Sequence, residues 1–139
     1  MTEPLPLTAA ECEELLRTSE VGRVAVCSPD GPHIVPVNYK VDDGTLVFRT
    51  SPYSVVGTHA RDAVIALEID DVDVEHEAGW SVVARGRAVA VTDPDEVAAI
   101  RTAWGSPPWA AGTRTLYLRI GRPELTGRRL APRTLASAP

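Results

Sequence analysis

The chain lacks the features that would announce most common chemistries, and each absence narrows its class. No apolar run approaches the ~20 residues that cross a bilayer, and the N-terminus has neither the basic nor the apolar region of a signal peptide, so a cytoplasmic protein is expected. Cysteine is scarce: Cys12 and Cys27 have no metal-ligand spacing, are too few for a disulfide framework, and read as buried free thiols. There is no Gly-x-Gly-x-x-Gly and no glycine-rich phosphate loop, which argues against nucleotide binding by a Rossmann or P-loop route. A Gly-x-Ser-x-Gly nucleophile motif is also missing. His33, His59 and His76 share no ligand spacing, so no metal site is expected. The acidic run Asp70, Asp71, Asp73, Glu75 and Glu77 lacks the glycine and terminal glutamate of a calcium loop and reads as solvated. A net charge of -5 with scattered arginines gives no general attraction for nucleic acid.

What is present points to sheet. Valine and alanine dominate, the 139 residues are the length of one domain with one core, and no repeat, low-complexity segment or internal boundary appears. Thr8-Ala9-Ala10-Glu11 is a capping box that starts a helix over about 8–18, with Cys12, Leu15 and Leu16 inward. Val21 to Ser28 alternates as a strand, Asp30-Gly31 turns it, and Ile34 to Val41 returns. Residues 54–61 read as weakly helical, 63–69 as strand and 70–78 as an acidic loop. The long strand 80–92 contains Gly86, which suggests a bulge or bend, and Asp93-Pro94 starts a helix to Trp104. A proline-containing loop with Trp109 follows, then strands at 115–120 and 123–130, and a tail frayed from 131. The fold class is mainly β, α+β by content: a six- to seven-stranded antiparallel split β-barrel with a few short helices, because closure removes the edges of so valine-rich a sheet.

The most informative stretch is 36–51. Asp43-Gly44 supplies the positive φ angles of a tight hairpin turn, and the second strand alternates Leu46, Phe48 and Thr50 against Val47, Arg49 and Ser51. Arg49 at the strand end can fork onto a phosphate or carboxylate, or can sit in a surface ion pair. Trp80, Trp104 and Trp109 are conspicuous in a chain with so few aromatics; Trp104 reads as packing, while Trp80 and Trp109 suit either packing or stacking on a planar ligand.

Taken in order, Val21-Gly22-Arg23-Val24-Ala25, Pro36-Val37-Asn38-Tyr39, Asp43-Gly44 with Phe48-Arg49-Thr50, Gly79-Trp80-Ser81-Val82-Val83 with Gly86-Arg87-Ala88, and Pro108-Trp109-Ala110 resemble the pyridoxamine 5′-phosphate oxidase-like family of flavin-binding split β-barrels. The resemblance runs from about Leu7 to Leu130. It implies a homodimer with cofactor clefts between subunits, in which Pro36, Val37, Asn38 and Tyr39 run along the flavin ring edge with their backbone groups. It also implies that Arg49, Thr50 and Ser51 hold the phosphate with help from Ser54, that Trp80 and Ser81 close the cleft, and that Trp109 belongs to the same site.

One departure stands out. Many members that bind flavin mononucleotide (FMN) carry a lysine a few residues after the Arg-Thr pair, where this chain has Val55. Weaker phosphate binding is expected from that loss. The resemblance as a whole implies an FMN-binding oxidoreductase that passes a hydride to or from a small substrate. The alternative is a non-catalytic binding or carrier protein for a flavin, the deazaflavin F420 or haem. No side chain stands out as a catalytic acid or base.

Overall fold

The computed structural model describes residues 2–105 and 115–132. In chain order the elements are β1 (Thr2–Pro6), α1 (Ala9–Leu16), β2 (Val21–Ser28), β3 (Gly31–Asp42), β4 (Thr45–Thr50), α2 (Val55–His59), β5 (Val64–Asp73), β6 (Ala78–Ala90), α3 (Pro94–Trp104), β7 (Leu116–Ile120) and β8 (Glu124–Pro132). The sheet order is β1-β8-β6-β5-β2-β3-β4-β7, and a further pairing of β6 with β7 closes six strands into an antiparallel ring. Strands β8 and β1 continue outward from β6, which gives the split barrel expected from the sequence.

Local chemistry explains the connections. Asp42 pairs with Thr45, leaving Asp43 and Gly44 as a two-residue loop with φ of 48° and 76°, a positive pair that suits Asp-Gly and matches the twist of the strands it joins. Gly86 does not make a bulge: its ladder to β5 runs unbroken from Val64↔Arg87 to Asp73↔Ala78. It marks instead the place where β6 changes partner, from β8 up to Arg85↔Glu124 to β7 from Ala88↔Ile120. A Cβ there would lie 2.6 Å from Ile120 Cγ2, so barrel closure needs a residue without one.

The interior is filled by inward-pointing residues of the ring, among them Val24, Tyr39, Phe48, Leu67, Val82 and Leu118. Helix α1 covers one side with Cys12 and Leu16, and its start is fixed by reciprocal bonds, Glu11 N donating to Thr8 Oγ1 (3.2 Å) and Thr8 N to Glu11 Oε1 (3.0 Å). Burial pushes the Cys12 thiol above its ordinary pKa.

Four expectations need correction. Cys27 is exposed, because it shares the outward side of β2 with Arg23 and Ala25. Half of the acidic loop is strand: β5 runs to Asp73, paired with Ala78, and residues 74–77 alone make the turn. Strand β1 was not foreseen, since Pro4 and Pro6 argue against ladder pairing. Leu7 N donates to Gly127 O (3.0 Å), which turns odd-numbered amides toward β8 and leaves both proline positions on the open edge, where no donor is needed. Strand β8 pairs with β1 as far as Pro132, past the point at which the tail was expected to begin.

Tyr39 links the layers. It is 1% exposed, and its hydroxyl donates to Leu16 O (2.6 Å) at the end of α1. Tyr39→Phe leaves that carbonyl without its partner and is expected to lower unfolding free energy by about 1 to 2 kcal/mol, read from the urea midpoint; an unchanged midpoint would show that the bond adds nothing net.

Candidate functional site

Residues paired across neighbouring strands share a face of the sheet, so the register reads out the outer wall of the barrel. Val21 faces Asn38, Asn38 faces Arg49, and Arg49 faces Tyr117, which forms one outward row across β2, β3, β4 and β7. Helix α3 covers the β4–β7 end of this wall. There Val47, Val91 and Tyr117 make a second small core with Val97, Ile100 and Trp104. Val47, expected on an open side with Arg49, is therefore 2% exposed. Over β2, β3 and β5 no described helix covers the wall, and Val21, Ala25, Ile34, Pro36 and Val64 are exposed, Ile34 by 72%.

Arg49 sits half-buried where the covered and open halves meet. Its guanidinium carbon is 5.0 Å from the centroid of the Trp104 ring, and that ring stacks on Tyr117 at 5.7 Å. Lys40 Nζ approaches the same indole at 5.8 Å. Among the described residues neither cation has a carboxylate partner, whereas Arg23 binds Glu68 (2.6 Å) and Asp70 (2.8 Å) and Arg119 lies 3.6 Å from Asp42. Among the described residues Arg49 is thus in no surface ion pair: an indole face shields it from part of its water without neutralising its charge.

Past Arg49 the strand ends in a hydroxyl turn. Ser54 Oγ donates to Ser51 O (2.7 Å), accepts from Gly57 N (3.0 Å) and lies 2.8 Å from Thr50 Oγ1. Ser51 Oγ accepts from Tyr53 N (3.3 Å). Strand alternation puts Thr50, the last residue of β4, on the side opposite Arg49, and Ser51 follows in the turn beyond the ladder. Val55 is half-buried against the core, so α2 brings no cation to the position where the resemblance places a lysine.

The remaining candidates divide. Pro36 and Asn38 face outward, while Val37 and Tyr39 support β3 from within. Trp80 and Ser81 are half-buried on β6, with Trp80 in register between Asp71 and Arg129 in a groove of about 360 Å³. Around the ring β7 alone separates β6 from β4, but β6 meets β7 only at Ala88–Ala90, and Trp80 lies in the far segment of β6 that pairs with β8, so one chain does not bring Trp80 to Arg49. Trp109 lies outside the described residues. Sequence reasoning missed Lys40, which alternates outward with Asn38, and gave Trp104 a packing role alone.

Between Ser81 and Asn38 on the outer wall lies the Arg23, Glu68 and Asp70 cluster, whereas Trp80 shares the inward side of Val82 and packs against the core. Burial first, and then the hydrogen bond with Asp70, raise the Glu68 carboxyl above the ordinary glutamate range, although Arg23 opposes the shift. Arg23 in turn is raised, chiefly by its hydrogen bond to Glu68.

Comparisons with known proteins agree with this architecture. The family model described as pyridoxamine 5′-phosphate oxidase matches residues 8–129. An uncharacterized protein of Mycobacterium tuberculosis is 40% identical over 101 residues, 69% of this chain and 66% of the relative, so the match spans just under two thirds of the relative's length. The structure of the FAD binding protein from Mycobacterium smegmatis superposes with a TM-score of 0.79 and 33% identity, over 93% of this chain and 100% of that one. An FAD-binding protein from Mesorhizobium loti shares the fold, with a TM-score of 0.70 at 23% identity over 95% of this chain and 100% of that one.

Two outcomes test the geometry. A Cβ on Gly57 would stand 2.1 Å from Ser51 O, so Gly57→Ala should separate α2 from the hydroxyl turn and cost about 2 kcal/mol or more, measured by denaturant unfolding. Asp70→Asn should bring the Glu68 titration down toward the ordinary range, followed by carboxyl NMR; an unmoved midpoint would show that burial alone sets it.

Proposed function

Because the chain belongs to the pyridoxamine 5′-phosphate oxidase family, we propose that it is a flavin-binding oxidoreductase that grips the phosphate of FMN or a related flavin at Arg49 and lays the ring along β3. The observation that carries this reading is Arg49 itself, half-buried on the Trp104 face with no carboxylate partner among the described residues, at the edge of the uncovered half of the outer wall. The residues fit such a group in kind: a forked cation for the phosphate, the Ser51 hydroxyl beside it, and a flat wall with Pro36 and Asn38 for the ring. The likeness to the FAD binding protein from Mycobacterium smegmatis, at 33% identity, supports a flavin. When bound, the flavin supplies two-electron transfer; the chain's part is to orient the ring and exclude water.

The same wall supports a homodimer. Exposed Ala25, Ile34 and Pro36 adjoin one another across β2 and β3, with exposed Val21 beyond the charged Arg23 cluster, and form an apolar patch of the kind that marks an interface. A second copy would bring its own Trp80 and Ser81 toward this chain's Arg49, two groups that one barrel keeps apart, and each cleft would then be complete only between subunits. A carrier reading, in which the cofactor is held without turnover, has one specific support: α2 puts Val55 where a second cation is expected.

Purified protein should gain visible flavin absorbance with FMN, and Arg49→Ala should weaken binding about 10- to 100-fold. No saturable binding at high micromolar FMN would overturn the flavin reading. Bound flavin that is neither reduced by a nicotinamide donor nor reoxidised would favour the carrier. Ile34→Lys should shift the protein from dimer to monomer in sedimentation velocity, and wild-type protein running as a monomer would remove the shared cleft.

A further inference from the structure

We infer that Lys40, Trp104 and Arg49 together form a diphosphate-binding subsite, built for two neighbouring phosphates, so that this chain prefers a flavin whose phosphate is carried as a diphosphate diester. The inference rests on the reading of Arg49 as the flavin clamp and adds where the second negative charge goes.

The register places the two cations. Lys40 on β3 pairs with Val47 on β4, and Arg49, two residues on from Val47, pairs with Asn38, two residues before Lys40. They are diagonal neighbours on one face of adjacent strands, and the Trp104 indole meets both. Two like charges on one ring repel unless something offsets them. The carboxylates nearby are otherwise engaged or distant: Asp42, on the same hairpin, lies beside Arg119, and the acidic residues of α3, Asp95 and Glu96, are in its first turn, at the end away from Trp104. The last turn of α3 contributes a further cation, Arg101. Among the described residues neither cation is ion-paired, and Lys40 lines a cavity of about 310 Å³ with Val47 and Asp42 of the hairpin and Ile100, Ala103 and Trp104 of α3, the Asp42 carboxylate lying 3.6 Å from Arg119.

The placement selects the anion. A monoester phosphate concentrates its charge at the strand end, where its second cation would have to come from the turn after Ser51, and there the chain has Val55. A diphosphate diester carries about one charge on each phosphate. Arg49 then takes one and Lys40 the next, with the chain of phosphates running from the strand end toward the last turn of α3 and the rest of the ligand directed to the cavity. Trp104 positions both cations and makes its own emission a reporter of their occupancy.

The experiment titrates the full-length protein with inorganic pyrophosphate and with inorganic phosphate, reading tryptophan emission, and then with FAD and FMN. Wild type, Lys40→Met and Trp104→Phe are compared, with urea midpoints as the folding control. Pyrophosphate should act at concentrations about tenfold below phosphate, the response should vanish in Trp104→Phe, and Lys40→Met should weaken pyrophosphate and FAD about tenfold while FMN changes less than about threefold. If pyrophosphate responds in this way but no flavin binds, the subsite stands and the flavin reading falls. If both flavins bind and Lys40→Met leaves both unchanged, the flavin reading stands and the subsite is overturned; absence of any pyrophosphate response also overturns it.

Discussion

Closing six strands into a ring is the constraint on which the rest depends. Once β6 meets β7, every second residue of each strand is committed to a crowded interior and its neighbours to the outside. Gly86 and the Asp43-Gly44 turn make closure possible at its two tightest places, one by lacking a Cβ against Ile120 and one by accepting positive φ. Among the described residues the buried core is made of apolar side chains together with the Cys12 thiol and Tyr39, whose hydroxyl is bound to Leu16 O. Chemistry is thereby displaced to the outer wall, where half the surface is roofed by α3 and half is open.

The arginines and lysine of that wall show how the division is used. Arg23 and Arg119 lie against carboxylates, and their charge is largely spent within the chain. Arg49 and Lys40 are held by an aromatic face instead, which orients a cation without cancelling it. A charge held this way stays available to a ligand, and the boundary between roofed and open wall places it where a flat molecule on the open side would end.

Much of this was legible in the chain. Period-two alternation gave β2, β3, β4 and β7, the capping box gave α1, and Asp93-Pro94 gave α3 to its last residue. The failures share a cause, which is that alternation tells two faces apart but not what covers each. Val47 was assigned to an open face because nothing local reveals that α3 folds back over it. Trp104 seemed a packing residue for the same reason, although its contacts with Tyr117, Arg49 and Lys40 join residues far apart in sequence. Strand β1 was hidden by its prolines, whose lack of donors is harmless only at an edge.

Those prolines have a consequence for how the molecule meets others. The outermost strand of an unfinished sheet is ordinarily a template on which a further strand can grow, the route by which β proteins form fibres. With Pro4 and Pro6 both turned to that rim, the template has gaps at successive donor positions, and ladder growth from it is blocked. Growth along that rim is thereby disfavoured, and the faces of the sheet are left as the surfaces open to contact with another molecule.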